Sequence, residues 1–312
     1  MVNNISAGKS SNGPVISLSS VSKRYGQKWA VKEVSINIYS GQIFGLVGPN
    51  GAGKTTLLKM ITGLVRPTSG TVAVMNHNPG SQTGALSSIG LVIENPPSIE
   101  HLSGLRNLQL LASIKNQVAT SEMVSALKQV GLNPEDRRPV KKYSLGMKQR
   151  LALAQAIMEK PQLLLLDEPT NGLDPQGVAD IRNFLLQLKE QGVSILLASH
   201  LLTEVERICD EVAIIKNGEI VHRVKQKTTD GLQQVQAAVK LTALEDVRVV
   251  SQWAKDKGWE VTAERSLLRL EGVPSMPGLI KDLVNLGVSI EAVYAEDSLE
   301  ITYLRVVGGM AK

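Results

Sequence analysis

Nine consecutive residues, Gly48-Pro49-Asn50-Gly51-Ala52-Gly53-Lys54-Thr55-Thr56, fill the pattern G-x-x-x-x-G-K-[ST] between an apolar run, Ile43 to Val47, and a helix-forming run, Leu57 to Gly63. The chemistry this spacing suits is the holding of a chain of phosphates. Glycines let the backbone turn its N–H groups inward as a nest, and the helix that follows adds the positive end of its dipole. Lys54 would bridge β- and γ-phosphate oxygens as a point charge, while the Thr55 hydroxyl would ligate Mg²⁺.

A second run, Leu163-Leu164-Leu165-Leu166-Asp167-Glu168, is an apolar strand ending in two carboxylates. At the C-terminal edge of a parallel sheet, where ligands bind, Asp167 can hold the Mg²⁺ shell and Glu168 can orient or deprotonate an attacking water. Adjacent acids at a strand end are also explained by solvation alone. Beside a phosphate loop they become part of a hydrolytic site.

Such residues meet only if a sheet brings them together. From Val15 to about Val221 strands and helices alternate around glycine-punctuated loops, and the strand candidates Ile43 to Val47, Leu163 to Leu166 and Ser194 to Ala198 are apolar throughout. Strands of that kind are buried on both faces, so the sheet is covered by helices. Leu105 to Val130 is helix-rich and bounded by Gly131 and Pro134, which predicts an inserted helical region. After Arg223 a polar connector leads to strand, helix, strand, strand, helix, strand, at Val235–Leu241, Glu245–Lys257, Trp259–Ala263, Leu267–Leu270, Pro277–Leu286 and Ser289–Tyr294. That order is the ferredoxin-like one. A last helix, Ser298 to Val307, is expected to end at Gly308-Gly309. Trp253 and Trp259 are expected in the core of this second region.

Composition sets bounds on function. A chain of 312 residues with 43% apolar and only 3% aromatic residues builds its cores from Leu, Val, Ile and Ala. No apolar run reaches the length of a membrane-spanning helix, and Met1 to Pro14, rich in Ser, Gly and Asn, reads as a flexible tail. The single cysteine, Cys209, excludes an internal disulfide and is expected as a small buried hydrophobe. The net charge of +5 is dispersed in short pairs such as Arg137-Arg138 and Lys141-Lys142, which gives no indication of nucleic acid binding. His77, His101 and His222 have no motif around them and are read as loop or surface residues.

Further stretches follow in a fixed order: Tyr143-Ser144-Leu145-Gly146-Met147 with Lys148-Gln149-Arg150-Leu151 behind it, Asn171-Gly172-Leu173-Asp174, Ser199-His200 after a strand, and Tyr25 in Lys23-Arg24-Tyr25-Gly26. With the two motifs above, they make Val15 to Val221 resemble the nucleotide-binding subunits of ABC transporters. The resemblance implies an α/β P-loop NTPase cassette over 15–222 with a helical subdomain at about 95–160. A tail at 1–14 would precede it and a small α+β ferredoxin-like domain would follow at 223–312. It implies ATP and Mg²⁺ as ligands, and a head-to-tail dimer in which each ATP lies between one phosphate loop and the opposing Ser144-containing signature. Tyr25, Asn50, Gly51, Gly53, Lys54, Thr55, Thr56, Ser144, Gly146 and Asp174 would then hold nucleotide, with Tyr25 against the adenine and His200 sensing the γ-phosphate or placing the water. Ser144 and Gly146 precede a helix-forming run, Met147 to Met158, whose N-terminus suits a phosphate. Separate multi-spanning permease subunits would be the membrane partners, with this subunit peripheral on the cytoplasmic face.

Two departures from the family pattern are informative. The signature reads S-L-G-M where the family usually has S-G-G-Q, and Ile89-Gly90-Leu91-Val92-Ile93-Glu94-Asn95-Pro96-Pro97 carries glutamate where the family places a glutamine. Both features resemble the ABC subunits of bacitracin-resistance and lantibiotic-immunity exporters, so Glu94 joins Glu168 and His200 as a catalytic candidate, and Thr55 and Asp167 as a Mg²⁺ candidate. A soluble ABC ATPase unconnected with transport is the rival reading. Ribosome-acting members carry two cassettes in one chain and chromosome-acting ones part their Walker motifs by a long coiled coil, and neither pattern is present. A non-hydrolysing regulatory module would lack Glu168 or His200. By the same resemblance, selectivity for the cargo would belong to the permease.

Overall fold

The computed structural model describes residues 13–79, 88–93, 98–115, 118–225, 235–295 and 299–307. Glu94, most of the expected tail at 1–14, the connector at 226–234 and the Gly308-Gly309 stop lie outside the described residues. The chain divides into two compact units, Met1–Gln226 and Lys227–Lys312.

The first unit has two sheets. Strands β1 (Ile16–Tyr25), β2 (Lys28–Ile38) and β4 (Ser69–Val74) pair antiparallel in the order β2-β1-β4. The larger sheet runs β5-β6-β7-β3-β8-β9, from β3 (Ile43–Val47), β5 (Ile89–Val92), β6 (Leu163–Asp167), β7 (Ser194–Ser199), β8 (Glu211–Lys216) and β9 (Glu219–Lys225). All its pairs are parallel except β8 with the edge strand β9. Every residue of β3, β6 and β7 is buried, as continuous apolar strands require. Helix α1 (Lys54–Ile61) leaves β3 through the phosphate loop, and its Leu57, Leu58, Met60 and Ile61 join Phe44 and Leu46 with the inner residues of β1 and β2 in one core.

The register puts the chemistry on one edge. Val47 stands beside Ser199, and Asp167 beside Ala198, so the loops after β3, β6 and β7 leave the sheet side by side.

The expected helical region is α2 (Gly104–Lys115), α3 (Thr120–Gln129), a 3-10 turn at Val140–Lys142 and α4 (Leu145–Ile157). Buried Asn107 ties the preceding loop to α2: its Oδ1 accepts from Ile99 N at 2.7 Å and its Nδ2 donates to Ser103 O at 3.0 Å. Helix α4 starts two residues before the expected Met147, because Ser144 is an N-cap whose Oγ accepts from Met147 N at 3.2 Å. Gly146 therefore lies inside the first turn rather than ahead of the helix. Helices α5 (Pro175–Glu190) and α6 (Leu202–Ile208) complete the unit. Strand β9 carries on to Lys225, beyond the boundary expected at 222, because Arg223 bonds the buried Glu211 of β8 across the ladder.

The second unit is β10 (Val235–Leu241), α7 (Leu244–Asp256), β11 (Glu260–Glu264), β12 (Leu267–Val273), α8 (Met276–Asn285), β13 (Ile290–Ala295) and α9 (Leu299–Val307). Its sheet is antiparallel in the order β11-β12-β10-β13, the arrangement of a ferredoxin-like βαββαβ unit. Strand β12 is three residues longer than expected at its C-terminal end. The ladder slips by one residue there, so that Val273, three positions after buried Leu270, is buried opposite Val235. Trp253 and Trp259 stack edge to face at 5.1 Å between centroids and pack on the core formed by Val239, Val250, Leu268 and Leu283.

Candidate nucleotide site

A cleft of about 780 Å³ opens over the C-terminal ends of β3 and β6. Tyr25, Asn50, Gly51, Gly53, Lys54, Thr55 and Thr56 line it together with Asp167 and Glu168, so nine of the expected residues share one space. That volume suits a ligand of nucleotide size.

The floor is the loop between β3 and α1. A Cβ on Gly48 would stand 2.2 Å from Ile215 O, and one on Gly53, whose φ is +110°, would stand 2.3 Å from Ala30 O. Only glycine lets this backbone lie against β8 and β2 and still turn toward the cleft. Helix α1 has no side-chain cap at Gly53, which leaves the N–H groups of its first turn for an anion.

Lys54 is buried at 6% exposure, and its Nζ donates to Gly48 O at 2.7 Å and lies 3.4 Å from Glu168 Oε1. Thr55 Oγ1 donates to Asp167 Oδ2 at 2.5 Å. Glu168 holds a backbone φ of +50°, unusual for a residue with a side chain, at the point where the chain leaves β6. Its Oε2 accepts from His200 N at 3.3 Å and meets His200 Nδ1 at 2.7 Å. Its Oε1 is buried with no hydrogen-bond partner. A carboxylate so placed, one oxygen oriented by a histidine and the other held by no hydrogen bond but by the charge of Lys54, can align a water and accept a proton from it.

The donors present fit Mg²⁺ bound with a nucleotide. Among the described residues no group of three or more His, Cys, Asp or Glu could hold a metal by itself. The Thr55 hydroxyl and Asp167 carboxylate are two hard oxygen ligands at the mouth of a phosphate loop, and Mg²⁺ takes few protein ligands when substrate phosphates supply the rest.

Ser144, Gly146 and Asp174 lie apart from this lining, at the starts of α4 and α5, where Asp174 Oδ1 caps α5 by accepting from Gly177 N at 3.0 Å. The two starts are in contact: Leu145 Cδ2 would lie 2.5 Å from a Cβ on Gly172, and Leu173 Cδ2 3.3 Å from one on Gly146. Leu145 is half exposed and reaches the edge of the cleft.

Sequence reasoning missed Gln149 and Lys28, which also line the cleft. Gln149 is buried, and its Nε2 lies 3.5 Å from Glu168 O. Its place four residues after Leu145, on the same helix face, was the available signal.

An ABC transporter family model matches residues 31–171. The lantibiotic transport ATP-binding protein SrtF of Streptococcus pyogenes is 38% identical over 221 residues, covering 71% of this chain and 95% of the relative. The bacitracin transport ATP-binding protein BcrA of Bacillus licheniformis is 33% identical over 302 residues, covering 95% and 98%. Among solved structures, the ATP-binding cassette MJ0796, described as a dimeric post-hydrolysis state bound to ADP and Pi, matches with a TM-score of 0.63 and 26% identity over 68% of this chain and 99% of that one. With this site on this fold, the chain belongs to the ABC transporter family as a nucleotide-binding subunit, an ATPase coupled to transport.

Proposed function

We propose that this ATPase powers export of an antimicrobial peptide or antibiotic through separate permease subunits. It would work from the cytoplasmic face of the membrane and as a dimer that closes on two ATP molecules. The observation that carries the mechanism is the link from Lys54 through Glu168 to His200 at the edge of one cleft. The export reading is supported by the relatives named for bacitracin and lantibiotic transport, and by Glu94, which is assigned by its place in the sequence alone. Among the described residues no helix is long and apolar enough to cross a membrane, so the pathway would be supplied by partners.

Tyr25 would stack on the base, and the backbone of Asn50, Gly51 and Gly53 would wrap the phosphates. Thr56 continues the exposed N–H row at the start of α1. On nucleotide binding, Lys54 would exchange its loop carbonyl contacts for phosphate oxygens. Mg²⁺, when bound, would neutralise charge on the β- and γ-phosphates, held by Thr55 and Asp167, with Glu94 near its shell. Glu168, oriented by His200, would take a proton from the water that attacks the γ-phosphorus. Ser144 accepts one hydrogen bond from Met147 N, which leaves its own O–H to donate to a phosphate across the dimer, near Gly146 and Asp174.

Hydrolysis and binding assays on the purified chain test this. Lys54→Ala should lose both ATP binding and turnover, whereas Glu168→Gln should bind ATP and lose turnover by about two orders of magnitude or more. Wild-type hydrolysis by Glu168→Gln would remove the proposed base. Ser144→Ala should keep nucleotide on the monomer and weaken ATP-induced dimerisation in light scattering.

A further inference from the structure

Two cations line the nucleotide cleft among the described residues, Lys54 and Lys28. Lys54 is accounted for by the phosphate loop. Lys28 stands at the start of β2, paired across the hairpin with Tyr25. Cross-strand partners share a face, and Ala30, two residues further along β2, shares it too. Both Tyr25 and Ala30 line the cleft with Lys28.

This face forms a line from the base platform to the phosphate floor. Ala30 is its lower end, because its carbonyl packs against Gly53 of the loop. Two residues of strand span about 6.6 Å, so Lys28 rises from the backbone one such step above the loop, on the side of Tyr25. A nucleotide whose base lies on Tyr25 and whose terminal phosphates lie at Lys54 would carry its ribose and α-phosphate through that interval.

The neighbouring cations of the hairpin are engaged with protein groups. Lys23 Nζ donates to Arg66 O at 2.7 Å and lies 5.2 Å from the Tyr25 ring centroid. Arg24 bonds Gln27 and lies over Trp29, and Lys32 pairs with Glu219 at 2.5 Å. Lys28 is exposed, and among the described residues no carboxylate or carbonyl engages it. An unengaged ammonium inside a cleft built for a polyanion has one evident partner.

We propose that Lys28 is a further nucleotide-contacting residue, donating to the α-phosphate and so adding affinity for every phosphorylated form of the nucleotide without entering the hydrolytic step. The proposal rests on the reading of the cleft as the ATP site. It differs from that reading in placing a second charge on the phosphate shared by ATP, ADP and AMP, outside the reach of the phosphate-loop lysine.

Calorimetric titration of the full chain with ATP, ADP, AMP and adenosine tests it, alongside steady-state ATPase assays. In Lys28→Ala the dissociation constants for ATP, ADP and AMP should each rise about five- to tenfold at low salt, the size of a charge-assisted contact that stays open to solvent. The rise should shrink in high salt, and Lys28→Arg should restore affinity. Adenosine should bind both forms alike, and kcat at saturating ATP should stay at the wild-type value while KM rises. Unchanged ATP affinity in Lys28→Ala would overturn the proposal, and an equal loss for adenosine would reassign the residue to the base or ribose. Lys54→Ala serves as the reference: if it binds ATP as wild type does, the cleft itself has been misread, whereas its loss with Lys28→Ala intact would remove only this inference.

Discussion

Cys209 shows how one residue carries a measurable consequence of the packing around the site. Its thiol lies at the end of α6, under the sheet, where a Cβ on Gly45 of β3 would come within 2.9 Å of its sulfur. Burial, and next the charge of Asp210, push the thiol well above the ordinary range. An acid with a raised folded pKa stabilises the fold fully below its unfolded value, and that stability is lost as pH rises. Above pH 9.0, the ordinary thiol value, the unfolded chain ionises first, so this residue's contribution should fall by about 1.4 kcal/mol per pH unit. Urea unfolding of wild type and Cys209→Ala at pH 8 and pH 10 should show a gap that moves against wild type at the higher pH. A gap independent of pH would mean that the thiol reaches solvent in the folded state. The buried, inert cysteine was legible from its isolation in a chain of apolar strands. So was the phosphate loop, where contiguous residues must all satisfy one ligand. Lys28 and Gln149 were not, because each reaches the cleft through a pairing or a helix packing that local spacing does not encode.

At the scale of elements, two helix starts have one task in the fold and are proposed to have a second. Ser144 and Asp174 cap α4 and α5 through Met147 N and Gly177 N, while both are also proposed to face a second subunit. The helix-forming run read from Met147 starts two residues late because the cap and the signature are the same residues, and Leu145 and Gly146 already belong to the first turn of α4. The long apolar strands were easier, since five or six consecutive buried residues admit no other covered element of that length. The two roles of Asp174 are separable, because asparagine caps a helix about as well as aspartate. Asp174→Ala should lower unfolding stability by about 1 kcal/mol, while Asp174→Asn should leave it within a few tenths of wild type. Hydrolysis lost in Asp174→Asn at unchanged stability would assign the charge to the dimer. Equal destabilisation by both changes would show that the cap at Gly177 contributes little.

At the scale of the molecule, the cleft and its sheet are complete before the second unit begins. The phosphate loop, the β6 carboxylates and His200 all precede β8 and β9, and the core under the cleft draws its residues from Val15 to Ile220. The second unit has its own core of Val239, Leu241, Val250, Leu268, Leu270 and Leu283, as a ferredoxin-like unit requires. Where to divide the chain was less legible than the two patterns on either side, since Arg223 reads as the end of a polar stretch until its bond to buried Glu211 is seen. A truncation after Val221 would remove that residue along with the three other β9 ladder positions beyond it, leaving a buried carboxylate without its cation, at a cost of about 3 kcal/mol or more. A truncation after Gln226 keeps the ladder whole. The shorter form should therefore melt clearly below the longer one, which should bind ATP with the affinity of the full chain. Equal melting of the two truncations would show that β9 adds nothing to the first unit. Loss of ATP binding in the longer one would show that the second unit takes part in building the site.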